Sequence, residues 1–109
     1  MPKFKIAKVT DWRQINGTCL QGYINCDYAT LVNVFGNPNG GIDPCKSDCA
    51  WDVVINGVVC SIYNYKDGKN YLGAEGLDKE NITCWHIGGR SQQSANIVKN
   101  VIEQHFATV

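Results

Sequence analysis

The stretch Trp85-His86-Ile87-Gly88-Gly89-Arg90 runs directly into Ser91 and a helical pattern, and its residue types suit nucleotide chemistry. A strand that ends in two glycines can turn backbone N–H groups toward one point. The first-turn N–H groups of a helix have no internal partners and carry partial positive charge. Arg90 adds a planar donor that grips phosphate through paired hydrogen bonds, and Ser91 caps the helix beside it. Trp85 and His86 add flat rings on which a base can stack. Together these residues describe an anion cradle flanked by rings. The plainer reading is a tight strand-to-helix connection. In that case Trp85 and His86 point to opposite faces of the strand, and only one of them meets a ligand.

A second candidate is the segment from Tyr63 to Tyr71, where tyrosines, lysines and asparagines surround a turn. Tyr63 and Tyr65 offer stacking area with a polar tip, Asn64 can read a base edge, and Lys66 and Lys69 can balance phosphate charge. An ordinary hairpin can carry the same residues. The third candidate is Gln21 beside Gly22. A glycine inside a strand marks a bulge or the close approach of another chain or ligand, and Gln21 there can contact a base.

Catalytic groups are harder to find. Hydrolysis needs paired carboxylates, a metal cluster, or a nucleophile with its base. Asp48, Asp52, Asp67 and Asp78 are dispersed in sequence. Cys84 and His86, two apart on a strand, share a face and could in principle form a thiolate pair, but no third group is there to orient them and packing is the stronger reading. His105 falls at a helix end, where a positive side chain suits the dipole. The six cysteines (Cys19, Cys26, Cys45, Cys49, Cys60 and Cys84) admit three readings: buried free thiols, disulfides, or a zinc site built from Cys45, Cys49, Cys84 and His86. No catalytic residue, metal or cofactor is expected, and the chain reads as a binding protein rather than an enzyme.

Size and charge narrow the classes further. A chain of 109 residues with 44% hydrophobic residues forms one domain, residues 1–109, with one modest core. Its formal net charge is zero, which argues against a partner that is a DNA or RNA polymer. No apolar run reaches the length of a membrane span, so no membrane partner is expected. The N-terminal residues alternate lysine with apolar residues, a strand pattern unlike a signal peptide, and the chain therefore reads as intracellular.

The elements that must position these residues follow from periodicity and punctuation. Residues 3–9 alternate as an edge strand with lysines outward, and residues 18–25 read as a second strand. Asp27 caps a helix over 28–35 that Gly36 stops. Residues 36–49 are turn formers and make the longest loop. Asn56-Gly57 joins the strands Trp51–Ile55 and Val58–Tyr63 in a hairpin. Tyr71–Gly73 is expected to be extended, 73–80 a loop, and 81–87 the last strand. From Ser91 to about Phe106, Ile97, Val98, Val101, Ile102, His105 and Phe106 make one helical stripe. The expected fold class is α+β: an antiparallel sheet of about five strands with two helices packed on one face.

Taken as a series, Gly17-Thr18, Leu20-Gln21-Gly22-Tyr23-Ile24, Tyr28, Leu31-Val32, Phe35-Gly36, Pro38, the Trp51 hairpin, Ile62-Tyr63-Asn64-Tyr65-Lys66-Asp67-Gly68 and Trp85-His86-Ile87-Gly88-Gly89 span roughly residues 15–106. This order resembles a widespread set of small phage-encoded proteins, the immune-evasion sponges. The resemblance implies binding and sequestration of a nucleotide second messenger without degradation, in the cytoplasm of an infected bacterium. Two sponge types fit: one traps cyclic oligonucleotides of CBASS, the other cyclic ADP-ribose signals of Thoeris. It also implies a homo-oligomer, a dimer or larger, because a small domain encloses a nucleotide more readily between subunits. The six cysteines exceed what this set leads one to expect. Two other classes compete: a small nucleotide-cleaving or thiol enzyme using Cys84 and His86, and a module that docks a host protein through the 36–49 loop or the first strand's edge.

Overall fold

The computed structural model describes residues 4–15, 17–39, 49–65 and 72–107. Five strands form one antiparallel sheet: β1 (Ile6–Lys8), β2 (Cys19–Asn25), β3 (Ala50–Ile55), β4 (Val58–Tyr63) and β5 (Cys84–Gly89), in the order β1-β3-β4-β5-β2. Two helices, α1 (Tyr28–Phe35) and α2 (Gln92–Ala107), cover one face, so the chain has the α+β architecture its patterning predicts.

Local chemistry accounts for the joints. Asn56 and Gly57 both hold positive φ, 50° and 83°, the mirror-image turn whose twist matches two paired strands. The Asn56 side-chain carbonyl accepts the Lys5 N–H at 2.8 Å, which ties β1 to the hairpin. At α1, the Asp27 carboxylate accepts the Thr30 N–H at 2.9 Å. Gly36 ends the helix at φ 84°, donating its N–H to Val32 O, and its own carbonyl accepts the Trp51 indole N–H at 2.8 Å.

Alternation then sorts the side chains. Ile24, Trp51, Val53, Ile62, Trp85 and Ile87 face the helices and are buried with Leu31 and Phe35 of α1 and Ala95, Val98, Val101 and Ile102 of α2. The register places Tyr23, His86 and Tyr63 on the opposite face, which neither α1 nor α2 covers among the described residues. No helix among the described residues is long and apolar enough to cross a membrane.

Four boundaries differ from expectation. The first strand is shorter, Ile6–Lys8 rather than 3–9. The last strand begins three residues late because a single turn over Lys79–Asn81 takes the chain up to Ile82, whose N–H reaches Lys79 O. That strand also runs on through Gly88 and Gly89, which pair with β2 and β4 instead of forming a loop. Gly73 opens a single helical turn, Gly73–Glu75, rather than closing an extended segment, while Tyr71 and residues 40–48 of the long loop lie outside the described residues.

The α1 cap makes a first prediction. Hydrogen bonds from the side chain and backbone N–H of Thr30 hold the Asp27 carboxyl below its ordinary range. A carboxyl whose folded pKa is depressed stabilises the fold above its unfolded pKa and loses that contribution as pH falls through the folded value. Asp27→Ala is expected to cost about 1 kcal/mol at neutral pH. Urea denaturation should show the gap from the parent narrowing below about pH 4.

Candidate functional site

Across the uncovered face, pairing lays Tyr23 of β2, His86 of β5 and Tyr63 of β4 in one row. The His86 ring is the centre. Tyr23 meets it edge-on at 4.9 Å between centroids, Tyr63 tilts against it at 5.4 Å, and Tyr65 closes the group at 5.6 Å. Tyr23 and Tyr65 remain 53% and 39% exposed, so the cluster presents ring surface to solvent. Partial burial pushes the Tyr63 hydroxyl pKa up, with smaller contributions from Tyr23, Tyr65 and Cys19. Tyr63 therefore stays neutral across physiological pH.

The second feature begins just past the end of β5, four residues beyond His86 and about 13 Å away at strand spacing. Arg90 is exposed and its guanidinium donates to the Gln14 carbonyl at 2.6 Å. Ser91 caps α2: its hydroxyl accepts the Gln93 N–H at 3.3 Å. A cavity of about 180 Å³ adjoins both, bounded by Arg90, Ser91, Gln93 and Ser94 on one side and the hairpin residues Gly57–Val59 on the other.

Five candidate residues have other occupations. Trp85 is fully buried, its ring crosses Trp51 at 5.3 Å, and its indole N–H donates to Cys26 O. Of the Trp85–His86 pair, only His86 faces outward. Asn64 is also fully buried, and its side-chain carbonyl accepts the Cys49 N–H. Gln21 is the extra residue of a bulge between Leu20 and Gly22, and its amide donates to Gly89 O at 3.1 Å. Gly88 and Gly89 hold no left-handed φ and do not aim their N–H groups at one point; they are strand residues in close quarters. A side chain on Gly89 would overlap Ser94, and one on Gly88 would touch the Tyr63 ring. Lys66 and Lys69 lie outside the described residues.

Tyr23 is the site residue that motif reading left out. Its partnership with His86 depends on the bulge at Gln21, which shifts the register of β2 by one residue, and Gly22 was the only local sign of it.

The cysteines divide by environment. Cys26 and Cys60 are pushed up to about 11, in both cases chiefly by burial, so little thiolate forms at neutral pH. Cys19 and Cys84 are exposed free thiols, and Cys84 shares the open face with His86. Among the described residues, no group of three or more His, Cys, Asp or Glu side chains is placed to hold a metal ion, and Cys45 of the proposed zinc set lies outside them.

The fold and this surface define a small α+β protein whose open sheet face carries a row of rings, with a separate small cavity at the start of α2. Comparison with protein-family models, curated proteins and solved structures found no match.

Proposed function

We propose that this protein binds a cyclic nucleotide of the immune second-messenger class and holds it intact, in the cytoplasm of an infected bacterium, so that anti-phage signalling is interrupted. The observation that carries this reading is the Tyr23–His86–Tyr63 row with Tyr65 beside it, four rings gathered on the uncovered sheet face. Ring surface of this kind stacks on bases at roughly 1–3 kcal/mol per base. The Arg90 cavity supplies a complementary phosphate contact. At about 180 Å³ it is smaller than the roughly 300 Å³ at which pockets begin to enclose a drug-sized ligand. It suits a phosphate group. Stacking and phosphate pairing retain a ligand without breaking a bond in it.

Titration calorimetry with cyclic di- and trinucleotides and cyclic ADP-ribose isomers tests the reading. Sub-micromolar binding of at least one ligand is expected, with the ligand chromatographically unchanged after heat release. Arg90→Ala should weaken binding by about 2 kcal/mol, or roughly 30-fold. His86→Ala should weaken it further by removing the centre of the row. No heat with any ligand, or a cleaved product, refutes the proposal.

A further inference from the structure

The two edges of the sheet differ in kind. β1 has three residues, ends in Lys8 and follows Lys5, the short and charged form that discourages pairing with another chain. β2 has seven residues and no charge, and among the described residues no strand pairs with its outer side. Its bulge is confined to the first half; from Gly22 to Asn25 the register is regular. Beside this regular half runs a groove of about 310 Å³ between Tyr23–Asn25 and the outer part of α2. Ile102 and Phe106 give the groove an apolar floor and rim, and Phe106 is 57% exposed.

We infer that a second copy of this chain occupies that edge and groove, forming a two-fold dimer in which β2 pairs antiparallel with the partner's β2. The charges on the groove select this occupant. Lys99 and Glu103 lie on it one helical turn apart, and neither makes an ion pair among the described residues. A two-fold axis presents the same patch to itself in reverse. Lys99 then faces the partner's Glu103, and Glu103 faces the partner's Lys99. A partner of uniform charge would satisfy one of these groups and repel the other. The chain's zero net charge leaves no long-range repulsion between copies. The unpaired N–H and C=O groups of β2 gain partners, and Phe106 leaves water for the partner's groove. The dimer stands whether or not the rings bind a nucleotide, although it would lay the two ring clusters on one continuous face.

Sedimentation equilibrium of the full chain, without nucleotide, tests this. A mass of twice 12.1 kDa is expected at concentrations in the range of about 10–100 μM. Phe106→Asp should weaken association at least tenfold while circular dichroism stays unchanged, because that side chain is mostly exposed. Lys99→Glu alone should also weaken it, by setting glutamates against glutamates. The exchange Lys99→Glu with Glu103→Lys should restore it, since the patch is again self-complementary. A monomer throughout that range leaves the edge to another occupant and overturns the inference. So does a dimer indifferent to Phe106→Asp and to the single charge reversal.

Discussion

Trp85→Ala is expected to lower the free energy of unfolding by about 4 kcal/mol, measured by urea denaturation followed by circular dichroism. Native domains commonly hold only about 5–15 kcal/mol in total, so this change brings the fold close to its limit. The reason lies in where the ring sits. Trp85 has no exposed surface, packs edge-on against Trp51, and spends its only polar group on Cys26 O at 2.9 Å. Alanine removes most of a side chain from the middle of the core, and the neighbouring strands cannot close the gap without losing their register. Trp85→Phe keeps a ring but leaves the Cys26 carbonyl without that donor, and should cost less, about 2 kcal/mol. This pair also separates the two faces of β5. A folded Trp85→Phe protein should bind nucleotide as the parent does, whereas His86→Ala should lose binding with little change in stability. If Trp85→Phe abolished binding while its fold and stability stayed intact, the ligand would have to reach the helix-covered side.

Gly89→Ala should be nearly as damaging, at about 3 kcal/mol, although it adds a single methyl group. β5 ends beneath the first turn of α2, where the Ser94 hydroxyl donates to Val59 O at 2.8 Å. A methyl on Gly89 would fall on the Ser94 side chain and come within 3.2 Å of that same Val59 carbonyl. Both obstacles are anchored, one on a helix and one in the sheet, so α2 must lift at its start. Gly88→Ala is the control. Its nearest neighbour is the Tyr63 ring at 3.4 Å, an ordinary contact, and its cost should stay below about 1 kcal/mol. Adding Ser94→Gly to Gly89→Ala should recover part of the loss, because the cavity the first makes accepts the methyl of the second. Equal stability of the two alanine variants would mean that the strand and helix do not meet this closely. Lifting α2 would also disturb the cavity beside Arg90, so nucleotide affinity should fall with stability in Gly89→Ala.

The amino-acid sequence by itself determined the local structure wherever a short segment carries its own physical cause. Asp27 with Gly36 bounds α1 because a cap and a stop act within a single turn, and Asn56-Gly57 folds the hairpin because only that turn suits both positive φ angles. The periodic stripe of α2 and the alternation of the strands led to the α+β class for the same reason. The site was legible only in its composition: rings, a lone arginine and a helix start near one another. Which rings face solvent was decided by pairing between strands far apart in the chain. The bulge at Gln21 brings Tyr23 opposite His86, while the helices bury Trp85 one position away. Glycine doublets read the same whether they turn a loop or make room for a serine. Only the arrival of α2, with Ser94 pressed against Gly89, distinguishes the two, because a close approach belongs to both partners and neither segment encodes it alone.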